Sequence, residues 1–165
     1  MTDTTSASAV VIERTLEQPA ALIWQLWTEP EHFAAWYGPD GAVISVVTMD
    51  VRVGGRRLVG MSMQTPGGEM RMWFTGEHLE VRANERLIYT ESMCSEDGTV
   101  ISPADMGMPP GHPTTTIVTV ELREVAGRTT MRLTHAGIPA DSPGATGWQM
   151  ALGKLTGYAE TLRTR

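Results

Sequence analysis

Residues 56–94 read RRLVGMSMQTPGGEMRMWFTGEHLEVRANERLIYTESMC. Apolar and polar side chains alternate along most of this stretch, and Val, Ile, Thr, Met and aromatic residues are plentiful, as a half-buried pleated strand requires. Pro66-Gly67-Gly68 and Ala83-Asn84 interrupt the alternation with turn formers. The reading is three strands, Arg56–Gln64, Glu69–Val81 and Arg86–Cys94, joined as antiparallel hairpins.

Upstream, Ala42–Val53 is rich in Val, Ile and Thr and stops at Gly54-Gly55, and Val10–Leu16 is a first strand closed at Gln18-Pro19. Between them Leu22, Ile23, Leu26 and Trp27 recur at helical spacing, and Pro30 restarts a second short helix through Phe33 and Trp36. Downstream, Thr114–Val125 and Thr129–His135 form a last hairpin around Ala126-Gly127-Arg128. After Pro139 and Pro143, the residues Trp148, Leu152, Leu155, Ala159 and Leu162 fall three or four apart, which predicts a long final helix. The element order predicts an α+β fold: a curved antiparallel sheet of about seven strands wrapped around the C-terminal helix, with two short helices after the first strand. Residues 1–9 are read as a flexible tail and 10–165 as a single domain. Ser95–Pro113 holds four Pro and three Gly, a loop long enough to suggest a lid.

With 165 residues, 41% apolar and 19% charged, the chain is long enough for one core and too polar for a membrane-embedded protein. Its net charge of -6 opposes a phosphate backbone, which argues against nucleic acid as a partner. Cys94 is the only cysteine, excluding an intrachain disulfide and any multi-cysteine metal site, and a reducing, cytoplasmic location is expected. Eleven Met against two Phe predict a deformable interior, because thioether chains adapt their shape.

Several stretches, in order, resemble a known family: Glu29-Pro30-Glu31-His32 leading into Trp36-Tyr37-Gly38-Pro39, then Met49-Asp50-Val51-Arg52 before Gly54-Gly55, and Gly76-Glu77-His78-Leu79-Glu80-Val81. Further on come Glu85-Arg86-Leu87-Ile88-Tyr89-Thr90, Leu133-Thr134-His135-Ala136-Gly137, and Gly147-Trp148. The chain is similar over Val10–Leu162 to the START-like, or SRPBCC, superfamily, in the branch of the activator of heat-shock-protein ATPase homologues. Tyr37 departs from the Trp usual there. The resemblance implies a helix-grip fold enclosing a hydrophobic cavity. It does not imply one activity, since relatives include hydrophobic-ligand carriers, cyclases and chaperone-binding domains.

Matching the large residues of that family sets which strand face points inward. Arg57, Val59, Met61 and Met63 are then inward on one strand, Met72, Phe74, Gly76 and His78 on the next, and Leu87, Tyr89, Glu91 and Met93 on the third. Val118, Val120, Leu122, Met131, Leu133 and His135 extend the surface. Trp148 and Leu152 supply a helix wall, and Trp36 with the long loop shapes a mouth. Arg57 and Glu91 are the charged exceptions. Hairpin arithmetic puts both beside Gly76, whose missing side chain would leave room for a buried Arg57–Glu91 pair as the polar floor.

The leading function is binding of a small hydrophobic molecule, aromatic or polyketide-like, in that cavity, with Trp36, Arg57, Val59, Met61, Met72, Phe74, His78, Tyr89, Glu91, Met93, Val118, Val120, Met131, Leu133, Trp148 and Leu152 as the ligand-binding set. One alternative is a cyclase, dehydratase or hydrolase using Tyr89, His78 or Glu91 as acid or base; another is a chaperone-interacting domain. Asp105 and His112 on the loop gain no catalytic role, and His135 is read as ordering a strand end. Cys94 has no evident neighbouring base and is read as an inert thiol. The four His, at 32, 78, 112 and 135, lack a metal-binding motif, and no glycine-rich phosphate loop precedes a helix. No metal or cofactor is therefore expected, and a membrane is not expected as a partner; a homodimer is carried as an open assembly state.

Overall fold

The structure, a computed structural model, describes residues 9–107 and 113–163. Among these, seven strands form one antiparallel sheet: β1 (Ala9–Leu16), β2 (Val43–Met49), β3 (Arg56–Thr65), β4 (Gly68–Arg82), β5 (Arg86–Cys94), β6 (Thr115–Val125) and β7 (Arg128–Ala136). Their spatial order is β1-β7-β6-β5-β4-β3-β2, so the first strand pairs with the last and every other pairing is between sequence neighbours. Two short helices, α1 (Ala20–Thr28) and α2 (Pro30–Trp36), and the long α3 (Pro143–Arg163) complete the expected helix-grip architecture.

Most expected boundaries lie within two residues of the observed ones, but β2 ends earlier than the composition of Ala42–Val53 suggests. Its pairing with β3 shifts between Val46 and Thr48, and residues 50–55 instead form a turn in which the Gly55 amide donates to Arg52 O at 2.7 Å. The tail expected over 1–9 lies outside the described residues, apart from Ala9, which pairs with Ala136. In the long loop, Ala104–Met106 makes one turn of 3-10 helix, while residues 108–112, His112 among them, lie outside the described set.

Burial follows the predicted strand phase. Arg57 and Val59 on β3, Leu87 and Tyr89 on β5, Val118 and Val120 on β6, and Met131, Leu133 and His135 on β7 are all buried. Against them α1 and α2 insert an aromatic wedge in which Trp27 meets Trp36 edge-on at 4.7 Å between centroids and Phe33 stacks on Tyr37 at 4.5 Å. From α3, Trp148, Ala151, Leu152, Leu155 and Ala159 join the same hydrophobic cluster.

Long-range polar contacts fix the helices. Pro19 stands at the N-cap of α1 and offers no side-chain acceptor, so the Ala20 amide donates instead to Glu124 Oε1 of β6, at 2.8 Å. At the end of α2, Lys154 of α3 donates to the carbonyls of Tyr37 and Pro39, at 3.4 and 3.1 Å. Lysine here neutralises the exposed end of the short helix and pins the Tyr37-Gly38-Pro39 corner.

Gly76 has a use other than the one the sequence suggests. A Cβ built there would lie 1.8 Å from the Thr90 carbonyl oxygen, so the space is filled by the backbone of β5 and is not left open between Arg57 and Glu91. Close approach of the two strands requires glycine. Gly76→Ala should therefore cost about 2–3 kcal/mol of unfolding free energy, as overpacking against unyielding backbone does, whereas Gly67→Ala, whose Cβ would come no closer than 3.9 Å to a neighbour, should stay within about 0.5 kcal/mol. Urea denaturation of both variants checks this, and equal stabilities would refute it.

Candidate functional site

The concave face is divided across the strands. At one end, α1 and α2 pack it solid; at the other, a pocket of about 510 Å³ remains between β3–β5, the end of β7, and the start of α3. On β3 the boundary falls between buried Val59 and pocket-lining Met61, and on β5 between buried Tyr89 and pocket-lining Glu91. A smaller space of about 150 Å³ shares Phe74, Glu91, Met93 and His135 with it and reaches under Ile101, Pro103 and Met106 of the long loop.

Of the residues expected at the ligand, the structure brings Met61, Met72, Phe74, Glu91, Met93 and Trp148 together around the pocket, joined by Met63 and His135. Arg57, Val59, His78, Tyr89, Val118, Val120, Met131 and Leu133 on the sheet, and Leu152 on α3, are buried but do not line it. Trp36 does not shape a mouth. It is fully buried and its Nε1 donates to Leu26 O at 2.8 Å, leaving the next residue, Tyr37, at the rim with Gly38 and Pro39. The remaining wall, including Gly137–Pro139, Ser142–Gly144, Gly147 and Ala151, comes from the β7–α3 connection and first turns of α3. Strand alternation could not have singled these out.

The expected Arg57–Glu91 pair is not formed. Arg57 lays its guanidinium over the Tyr89 ring, 3.6 Å from the centroid, and 5.3 Å from that of Phe33. Such a stack offsets part of the cost of burying the cation, about 2 kcal/mol when both groups are desolvated. Glu91 instead accepts a hydrogen bond from Tyr37 Oη at Oε2, 3.1 Å, while its Oε1 lies 3.8 Å from His135 Nε2. Burial, reinforced by Glu91 and Tyr89 and opposed by Arg57, holds the Tyr37 hydroxyl well above its ordinary pKa, so it stays a proton donor.

His135 sits in a continuous chain of donors and acceptors. Trp148 Nε1, which can only donate, gives its proton to His135 Nδ1 at 2.8 Å. That assigns the remaining proton to Nε2, which faces Thr116 Oγ1 at 2.8 Å; Thr116 in turn donates to the Glu91 carbonyl at 3.1 Å. Desolvation lowers the His135 pKa, with Glu91 a weaker opposing influence, so the neutral ring is favoured near pH 7.

The acid–base candidates Tyr89 and His78 lie below the pocket floor. Tyr89 Oη is buried with no hydrogen-bond partner among the described residues, and His78 uses Nδ1 to hold Gly55 O of the β2–β3 turn at 3.1 Å. His32 pairs with Tyr158 Oη at 2.7 Å, away from the pocket. Cys94 is buried, and desolvation together with Asp97 raises its thiol pKa.

Comparison with known proteins bears on nearly the whole chain. The family described as Activator of Hsp90 ATPase homolog 1-like protein matches residues 17–160. Among solved structures, a protein from Chromobacterium violaceum shares 25% identity at a TM-score of 0.75, covering 93% of this chain and 97% of its own. An AHSA1-like protein from Aeromonas hydrophila is 24% identical at a TM-score of 0.68, with 95% of each chain covered. A third, from Arthrobacter aurescens, reaches 0.75 at 18% identity over 98% of this chain and 90% of its own. No curated protein sequence gives a significant match. Among the described residues, no helix is long and apolar enough to cross a membrane.

The His135 environment makes stability depend on pH. Protonation at Nδ1 would set an N–H against the Trp148 N–H, and His78, also desolvated and beside Arg57, has its pKa lowered too. As pH falls through about 6.5 the unfolded chain takes up protons at these rings before the folded one does, so stability present above that pH is progressively lost. Thermal unfolding should show Tm falling between about pH 7.5 and 5.5. A flat or rising Tm over that window contradicts the assignment.

Proposed function

Since the chain belongs to the family of Activator of Hsp90 ATPase homolog 1-like proteins, we propose that it binds a small, mostly apolar molecule in the pocket between β3–β5 and α3. The observation that carries this reading is the pocket itself: about 510 Å³, walled by Met61, Met63, Met72, Phe74, Met93 and Trp148, with one carboxylate at its floor. Size and lining match those of small-molecule sites, where apolar walls supply affinity and a few polar groups set orientation. Four thioether side chains let the wall adjust to the ligand's outline.

Enzymatic use of the same space would fall to Glu91, Tyr37 and His135, the titratable groups that reach it; Tyr89 and His78 are out of contact with any occupant. Glu91 as a base and Tyr37 as its hydrogen-bond partner supply general acid–base capacity. The family description also raises docking to a chaperone, which a titration against the purified chaperone tests separately. The single cysteine, Cys94, a buried free thiol, supports a cytoplasmic setting.

A neutral aromatic probe such as N-phenyl-1-naphthylamine should bind with enhanced fluorescence and quench Trp148. Met63→Trp, which puts a bulky ring into the pocket wall, should weaken that binding by about tenfold or more with little change in Tm. Binding unchanged by the filled pocket would place the probe elsewhere and count against this function.

A further inference from the structure

The hydrogen-bonding capacity of the larger pocket is one-sided. Its side-chain donors are all committed within the protein: Tyr37 Oη to Glu91, Trp148 Nε1 to His135, His135 Nε2 to Thr116, and Ser142 Oγ to Pro139 O at 2.7 Å. What remains open is an acceptor. Glu91 Oε1 has no hydrogen bond among the described residues, and His135 Nε2 stands 3.8 Å from it. Among the described residues Glu91 is also the only charged side chain lining either space.

Two cations lie close by without reaching the pocket wall. Arg57 is stacked on the Tyr89 ring below the floor, and Lys154 is occupied with the Tyr37 and Pro39 carbonyls behind the rim. An anionic head group entering the pocket would meet a carboxylate and no free side-chain donor, an arrangement that costs desolvation without return. A cationic donor meets the reverse: an open carboxylate oxygen, the rings of Tyr37, Phe74 and Trp148, and polarizable sulfurs.

We propose that the ligand is a hydrophobic amine, an aromatic or alicyclic body carrying a protonated nitrogen that donates to Glu91 Oε1. This rests on the reading of the pocket as a binding site and adds the chemical class of its occupant. The apolar body lies along Met61, Met72, Phe74 and Trp148, and the ammonium reaches the floor. The hydrogen bond to Tyr37 holds the carboxylate in place beforehand, so little side-chain entropy is lost on binding.

A matched series separates the two ideas: 9-anthracenylmethylamine, 9-anthracenemethanol and 9-anthracenecarboxylic acid, titrated calorimetrically into the intact protein at about pH 7.5. The amine should bind about tenfold or more tighter than the alcohol, the acid weakest, as a charge-assisted bond in a dry site gives. Glu91→Gln should bring the amine down to the level of the alcohol and leave the alcohol within about twofold. If alcohol or acid binds as tightly as the amine, the preference for a cation is wrong while the pocket still functions as a binding site. If none of the three binds, the binding reading falls with it. The wild-type ratio decides the matter even should Glu91→Gln fold poorly.

Discussion

The hydrogen bond from Trp148 to His135 fixes the relation between helix and sheet on which the candidate site depends. It spans the junction of α3 and β7, is buried, and joins a group that can only donate to a ring that must then accept. The start of α3 is thereby held against the end of β7 while its later turns sink into the aromatic wedge of α1 and α2. The two rings stand 5.9 Å apart at their centroids, edge to face, and both line the pocket at this end of the sheet. The same bond settles the histidine tautomer and so determines which donors are spent before any ligand arrives.

Beneath that pocket the protein keeps a second, buried polar layer. Arg57 Nη1, His78 Nε2 and Tyr89 Oη are buried there with no hydrogen-bond partner among the described residues. The guanidinium's stack on Tyr89 supplies part of the compensation, and its positive charge opposes the rise in the Tyr37 and Tyr89 pKa values that burial imposes. Separation of Arg57 from Glu91 leaves the carboxylate available at the pocket surface, where a closed ion pair would have consumed it.

The sequence was most informative where one rule governed many residues. Alternation in the strands set the inward face from Arg57 to His135, and the turn residues fixed the Arg57↔Gly76 pairing that the structure contains. Alternation says nothing about how far along a strand the open space reaches, which is why Tyr89, His78 and Val120 were grouped with Met61 and Met93 although they are buried outside the pocket. Trp36 missed its expected place at the mouth for a related reason: α2 is only seven residues long, and a one-residue step at its end hands the pocket edge to Tyr37. The segment from Gly137 to Gly147 carried no periodic signal at all, yet it builds much of the pocket wall.

The sheet pairs its earliest strand with its latest. β1 runs beside β7 from Ala9 opposite Ala136 to Leu16 opposite Thr129, and the first helix takes its terminal acceptor from Glu124. As the chain emerges from a ribosome, β1 and α1 therefore wait for more than a hundred residues before their partners exist, with the apolar side of that strand uncovered meanwhile. Pairing of β1 is therefore a late step in assembly, and protection of its apolar side during that interval is a demand built into the topology itself.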